Sequence, residues 1–262
     1  MNEPLVSIIT PVKNGEKHLR QSIESVISQS YKNIEHIIID GQSTDSTLDI
    51  IKEYEDKIAY WKSEQDRGIS DAFNKGIQEC NGEIIGIINA DDWYEKGAVE
   101  NAVSTFSQYP ATGVVCGSIS YWDDKKFLYH SLSIPDKLKY RMKVHHPTVF
   151  VKKSIYKNFG FFREDFKYAM DYELLLRFYM AKVPFKSIPN VLANMRFGGK
   201  SDITWKKALH EVYRAKLLNN ISPLSSLVSQ WYFIVDRYVM LFLDFAGFEK
   251  IIPRLKAKLI SY

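Results

Sequence analysis

The sequence predicts an α/β fold, a mixed but mostly parallel, Rossmann-like sheet flanked by helices, followed by a helical C-terminal region. Three observations carry this. The first 110 residues alternate short β-branched runs with segments of helical periodicity. Several runs stop abruptly at polar residues, as buried strands do where an open sheet borders a ligand crevice. Beyond Trp205 the pattern turns helical and is rich in aromatic and aliphatic residues. With 262 residues, 45% of them hydrophobic and 25% charged, the composition is that of a globular protein with room for a proper core.

Leu5 to Thr10 forms the first strand, stopped by Pro11 and followed by the loop Lys13-Asn14-Gly15. Leu19, Ile23, Val26 and Ile27 then recur at helical spacing. Ile34 to Ile39 is the second strand and ends in Asp40-Gly41. The cluster Ser43 to Thr47 predicts a cap for the helix marked by Leu48, Ile51 and Tyr54. Ala59 to Lys62 supplies a third strand, and Phe73, Ile77 and Cys80 stripe the next helix. Ile84 to Ile88 is the fourth strand, with Ala98, Val99, Ala102, Val103 and Phe106 on the helix after it. Past Pro110, Val114 to Cys116 and Thr148 to Val151 predict strands, and Tyr172 to Lys182 a helix. Neither repeats nor low-complexity segments interrupt the pattern.

The net charge of +4 concentrates late: from Lys206 onward there are nine Lys or Arg against four Asp or Glu. Affinity for an anionic surface therefore belongs to the tail, and no nucleic-acid partner is expected. Cys80 and Cys116 are too few for a disulfide framework and lack the spacing of a metal knuckle, so they read as core residues. Met1 to Pro4 runs straight into a strand without a signal peptide, so a reducing, cytoplasmic setting is expected.

Three strand ends, Thr10-Pro11, Asp40-Gly41 and Asn89-Ala90-Asp91-Asp92, lie side by side in a doubly wound sheet and border one crevice. Asp40 can accept a hydrogen bond from a base or ribose. Asp91 and Asp92 repel each other unless a cation stands between them and a ligand, and a divalent metal holding a diphosphate answers that. The polar stretch Gln65 to Gly76 opens a helix, whose N-terminus favours anions. Each piece has a plain structural reading. Asp40-Gly41 is then a turn, Asp91 or Asp92 a helix cap, Ser70 another cap, and Asp66-Arg67 a solvated ion pair. One nucleotide site accounts for all of them together.

Pro4 to Gly15, Asp40 to Asp45, Asp66 to Gly76 and Asn89 to Asp92, in this order and at these spacings, resemble the family 2 glycosyltransferases over residues 4–205. The resemblance implies a GT-A fold, an inverting reaction, a nucleotide-sugar donor (UDP-linked on family frequency) and Mn²⁺ or Mg²⁺. It divides a catalytic domain, residues 1–205, into a nucleotide-sugar half, 1–110, and an acceptor half with a lid loop, 111–205, leaving 206–262 as a helical region. Thr10 and Pro11 would line the base pocket, with Asp40 and Asp66 at the base. Asp91 would hold the metal with Asp92 beside it. Asn89 stands where the family often has the first carboxylate of an Asp-x-Asp motif. Its amide can bond a ribose hydroxyl but brings no charge to a metal.

Tyr168 to Arg177 resembles the family's acidic motif at the start of a helix, which makes Asp171 the general base and Glu173 a weaker candidate. The plain reading of Asp171 is a first-turn carboxylate favoured by the helix dipole. His146, in His145-His146-Pro147, is implied in acceptor or phosphate contact. Arg196 to Ser201 resembles a glycine-hinged lid, from which Arg196 or Lys200 would meet the leaving diphosphate.

Leu224 to Phe248 is strongly apolar, but Asp236, Arg237 and Asp244 interrupt it, so a transmembrane span is not expected. Lys250, Arg254, Lys256 and Lys258 follow. Such a tail suits the surface of an anionic membrane, here the cytoplasmic face of the inner membrane. Packing on the catalytic domain or on a second subunit, as a homo-oligomer, is the alternative. The family's bacterial members imply a lipid-linked saccharide acceptor in O-antigen, capsule or exopolysaccharide synthesis. A metal-dependent nucleotidyltransferase and a non-catalytic nucleotide-binding membrane scaffold are the competing readings.

Overall fold

The structure is a computed structural model and describes residues 3–196 and 205–245. Strand β1 (Val6–Val12) runs through the middle of a sheet, pairing parallel with β2 (Ile34–Asp40) on one side and β4 (Ile84–Ile87) on the other. β3 (Tyr60–Ser63) lies parallel outside β2. Helices α1 (Leu19–Ile27), α2 (Thr47–Glu53) and α3 (Ile69–Glu79) connect these strands. All seven residues of β1 are buried, as the near-continuous apolar run anticipates for a sheet covered on both faces. Alternation along the strand assigns each side chain to a layer. Ile9 packs with Ile37, Phe73 and Ile77 under α3, while Ile8 packs with Val26, Val99 and Phe106 under α1 and the next helix.

The sheet changes polarity at β4. Its far neighbour β8 (Phe150–Lys152) is antiparallel to both β4 and β6 (Val114–Asp123). β6 also takes β7 (Lys126–Leu132) antiparallel and β9 (Phe185–Arg196) parallel, and the short β5 (Trp93–Tyr94) closes against β9. Among the described residues nine strands form this one sheet, with the backbone order β3-β2-β1-β4-β8-β6-β9-β5. A Cβ on Gly86 of β4 would stand 2.8 Å from both the Phe150 ring and the Tyr94 hydroxyl. Only glycine lets those two rings close the junction, stacked with centroids 5.5 Å apart. Helices α4 (Ala98–Gln108), α5 (Lys153–Phe159) and α6 (Met170–Met180) cover the second half. α7 (Trp205–Leu218) and α8 (Pro223–Phe245) form the C-terminal hairpin.

Two local expectations are sharpened or corrected. Ser46 holds the N-cap position of α2 but makes no side-chain cap hydrogen bond. Within the Ser43–Thr47 cluster it is Asp45 that caps, its Oδ1 accepting from Thr47 N, the first residue of α2, at 3.0 Å, while the rest of the cluster stitches the β2–α2 loop to the β1–α1 loop. Ser43 and Thr47 accept from Asn14 N and Gly15 N at 2.7 and 2.8 Å, and Asn14 Oδ1 accepts from Thr44 N at 2.8 Å. The correction is that Arg196 is the last residue of β9 and not part of a loop. The rest of the expected lid, Lys200 included, lies outside the described residues, as do Lys250, Arg254, Lys256 and Lys258. No helix among the described residues is long and apolar enough to cross a membrane. Cys80 and Cys116 are free and buried, and burial pushes both thiols up to about 12, so they are inert packing groups.

Candidate functional site

The ends of β1 and β2 are in register, with Val12 opposite Asp40. Asp40 is wholly buried, and its carboxylate accepts hydrogen bonds from Ser43 N at 3.0 Å, Ser63 Oγ at 2.6 Å and Ser43 Oγ. A carboxylate offers about four lone-pair sites, so these three bonds satisfy most of its capacity. A Cβ on Gly41 would strike the Asp66 carboxylate. Its absence lets Asp66 lie against the turn, where the next residue, Gln42, takes φ +61°. Asp40 and Asp66 thus share one corner. Asp66 accepts from Gly68 N at 3.0 Å, while Arg67 pairs with Asp71 and Glu164, each at 2.9 Å. The sequence reading of Asp66-Arg67 as an ion pair therefore does not hold. Nor does Ser70 cap α3: Gly68 takes the N-cap, and the Ser70 hydroxyl donates to the Phe166 carbonyl at 3.3 Å.

Thr10 and Pro11 are buried within β1, and Thr10 Oγ1 lies 2.9 Å from His36 Nε2. Both side chains are packed within the sheet. Burial pushes the His36 imidazole down to about 3. Folded protein therefore keeps His36 neutral where the unfolded chain takes up a proton, from about pH 6.5 downward. The resulting stability is complete above that pH and is lost as the pH falls towards 3. Relative to His36→Gln, wild type should lose about 2 kcal/mol between about pH 7 and pH 5, read by urea melts at the two values.

At the end of β4 the chain sets out an acidic corner. Asp91 is exposed and Asp92 buried, with Asn89 Nδ2 3.3 Å from Asp92 Oδ2. Burial, and then the Asp91 charge, hold the Asp92 carboxyl well above the ordinary carboxylate range against the pull of Asn89 and Arg196. Arg196 donates to the Asp91 carbonyl, and its guanidinium lies over the Trp93 ring, 4.7 Å from the centroid. The buried Asn89 Oδ1 has no hydrogen-bond partner. Two carboxylates and an orphaned amide oxygen are a hard, all-oxygen donor set, which fits Mg²⁺ or Mn²⁺. Among the described residues no three His, Cys, Asp or Glu converge, so other ligands would complete such a site.

Next to this corner lies a cleft of about 540 Å³ that brings Asn89, His146 and Asp171 together with Phe73, Tyr121 and Met195. Asp171 stands in the first turn of α6, where its carboxylate accepts from Tyr172 N at 2.7 Å. Burial raises its carboxyl above the ordinary range, opposed by His146. Burial likewise lowers the His146 imidazole, whose ring lies 5.3 Å from Phe73, so His146 is neutral. A carboxylate in such a place is a better proton acceptor than one in water, provided it is ionised.

Residues 7–169 match the family model described as glycosyl transferase family 2. The chain belongs to that family. An uncharacterized glycosyltransferase of Rickettsia typhi is 33% identical over 187 residues, covering 67% of this chain and 58% of its own length. Chondroitin synthase of Escherichia coli is 28% identical over 224 residues, 82% of this chain and 32% of that protein. The chain thus spans less than two thirds of the length of either relative. Among solved structures, a mannosyltransferase of Pyrobaculum calidifontis in complex with GDP-Man and Mn²⁺ has TM-score 0.67 at 18% identity, covering 100% of this chain and 82% of that one. S. aureus TarS with UDP-GlcNAc has TM-score 0.68 at 16% identity, covering 88% and 71%. The GT-A fold implied by the four motifs is the fold found.

The family 2 segment stops at Ala169, two residues short of Asp171. Part of what holds Asp171 in place comes from beyond that segment. Glu211 of α7 accepts the backbone N–H groups of Lys167, Tyr168 and Ala169 at 2.8, 2.7 and 2.8 Å, fixing the loop that leads into α6. No local signal discloses this carboxylate, which acts 42 to 44 residues away. Glu173 does not reach the cleft. It is 1% exposed and grips Arg177 through two hydrogen bonds of 3.0 Å, a structural pair.

Proposed function

We propose that the chain is an inverting glycosyltransferase that moves a sugar from a nucleotide diphosphate sugar, UDP-linked, to a hydroxyl of a saccharide acceptor. The observation that carries this is the single cleft joining Asp171 to Asn89 beside the acidic corner. Asp40 and Asp66 would take the base and ribose, and Asp91 with Asp92 would hold Mn²⁺ or Mg²⁺. Bound there, the metal supplies charge that stabilises the diphosphate. Asp171 removes the proton of the acceptor hydroxyl as its oxygen attacks the anomeric carbon. The bond from that carbon to the phosphate oxygen breaks on the opposite face, and the nucleoside diphosphate leaves with the electron pair. Arg196, next to Asp91, would face the departing diphosphate, and neutral His146 the acceptor.

A lipid-linked acceptor in surface-polysaccharide assembly is the fuller form of this reading. Its support lies on α8, where Leu224, Leu227, Val228, Trp231, Tyr238 and Phe242 recur at helical spacing and are all more than half exposed. With the basic residues that follow in the sequence, such a face suits an anionic membrane surface. The decisive test is a panel of nucleotide sugars with Mn²⁺ and a lipid-linked acceptor. Acceptor-dependent release of nucleoside diphosphate from one donor is expected, and release from none would refute the assignment.

A further inference from the structure

Beneath the α7–α8 hairpin lies a second cavity, of about 240 Å³, which shares Met142, Tyr168 and Asp171 with the cleft. One wall is apolar, formed by Trp205, Leu209, Val212 and Phe233. The Trp205 ring sits 6.3 Å from Phe233 and under the Arg237 guanidinium, 4.8 Å from its centroid. Three cations line the same space: Arg141, Lys216 and Arg237. Arg141 is partly balanced by Asp236 at 3.6 Å.

Lys216 is the telling group. It is 1% exposed, and among the described residues its ammonium donates to neutral oxygens alone, the Tyr140 carbonyl at 2.7 Å and the Ser229 hydroxyl. Burial alone shifts it, down to about 8, and among the described residues no carboxylate forms an ion pair with it. Burying an ammonium without a counter-charge is costly. An anionic ligand would supply that charge through charge-assisted hydrogen bonds.

We infer that this cavity binds an amphiphilic phosphate, its apolar chain against Trp205, Leu209, Val212 and Phe233 and its phosphate at Lys216, flanked by Arg141 and Arg237. The inference rests on the glycosyltransferase reading in one respect only: the shared Asp171 makes the occupant the lipid-phosphate end of the acceptor. A phosphate held there places the sugar beyond it in the cleft.

The test is calorimetric titration of the full chain with farnesyl phosphate, farnesol and inorganic phosphate in turn, alongside UDP with Mn²⁺. Farnesyl phosphate should bind at least about tenfold tighter than farnesol, and inorganic phosphate more weakly still. Lys216→Met should remove that preference, and Leu209→Trp, which fills the cavity, should abolish binding of both farnesyl ligands. UDP binding should be unchanged in each variant. If Lys216→Met fails to fold, Arg237→Gln and Leu209→Trp carry the same comparison. Equal affinity for phosphate and alcohol, tighter binding of inorganic phosphate, or indifference to Leu209→Trp would overturn the inference. If wild type binds farnesyl phosphate as described but no nucleotide, the functional reading fails and the cavity assignment stands.

Discussion

Asp171→Asn should lower kcat by about 10²- to 10⁴-fold, the usual contribution of a general base, while nucleotide affinity stays within about twofold of wild type. Asparagine keeps the shape of the side chain and the oxygen that receives Tyr172 N, so the first turn of α6 is preserved. It also removes a carboxylate that burial holds above its ordinary range, so the variant should melt no lower than wild type. The pH profile supplies a further readout. A base must be ionised to act, so wild-type kcat/KM falls on the acid side as the raised Asp171 carboxyl takes up its proton. Residual turnover of the variant should lack that limb. Transfer within about threefold of wild type would remove Asp171 from the chemistry.

Asp91→Ala should reduce kcat/KM on the order of 10³-fold, because a metal's stabilisation of a departing diphosphate amounts to several kcal/mol. A binding measurement reports the same corner without turnover. UDP with Mn²⁺ should raise the melting temperature of wild type, and the variant should respond to UDP equally with and without the metal. The protein without ligand should fold normally, since the Asp91 side chain is exposed and its carbonyl, which receives Arg196, survives in alanine. A metal-dependent shift that persists in Asp91→Ala would place the metal elsewhere.

The first half of the fold was legible because its strands are short apolar runs with polar stops. Ile34 to Ile39 and Ile84 to Ile88 coincide with β2 and β4 to within one residue. β9 was not legible. Pro189 sits inside it, and an interior proline argues against a strand. The structure accommodates that proline at the register shifts on either side of Ser118, whose hydroxyl bonds the Pro189 carbonyl at 3.0 Å. β7 escaped notice because it lies at an edge with little buried surface, so no clean alternation is imposed on it.

Legibility of the site follows the same division. Asp40, Asp91 and Asp171 stand at element ends, where a carboxylate interrupts an apolar pattern. Thr10 shows the limit: its position beside the strand end is readable, but the direction of its hydroxyl, towards His36, depends on a partner 26 residues away. Glu211 and Lys216 lie on a helix whose apolar positions carry all the periodic signal, so their roles emerge only once α7 is docked.

β5 follows directly on the acidic corner, and its partner is made much later. Trp93 and Tyr94 pair with Asn194 and Ala193, and Asn194 Nδ2 donates to Glu95 Oε1 at 2.8 Å across 99 residues of chain. At ribosomal rates of about 5–20 residues per second, Asp91 and Asp92 emerge roughly 5–20 s before the strand that steadies the segment beside them. Closing so long a loop is slow and entropically unfavourable. The acidic corner should therefore be among the last parts of a newly made chain to mature. Nascent chains released before Arg196 should hold β1, β2 and β4 in a partly formed sheet with Trp93 still open to chaperones.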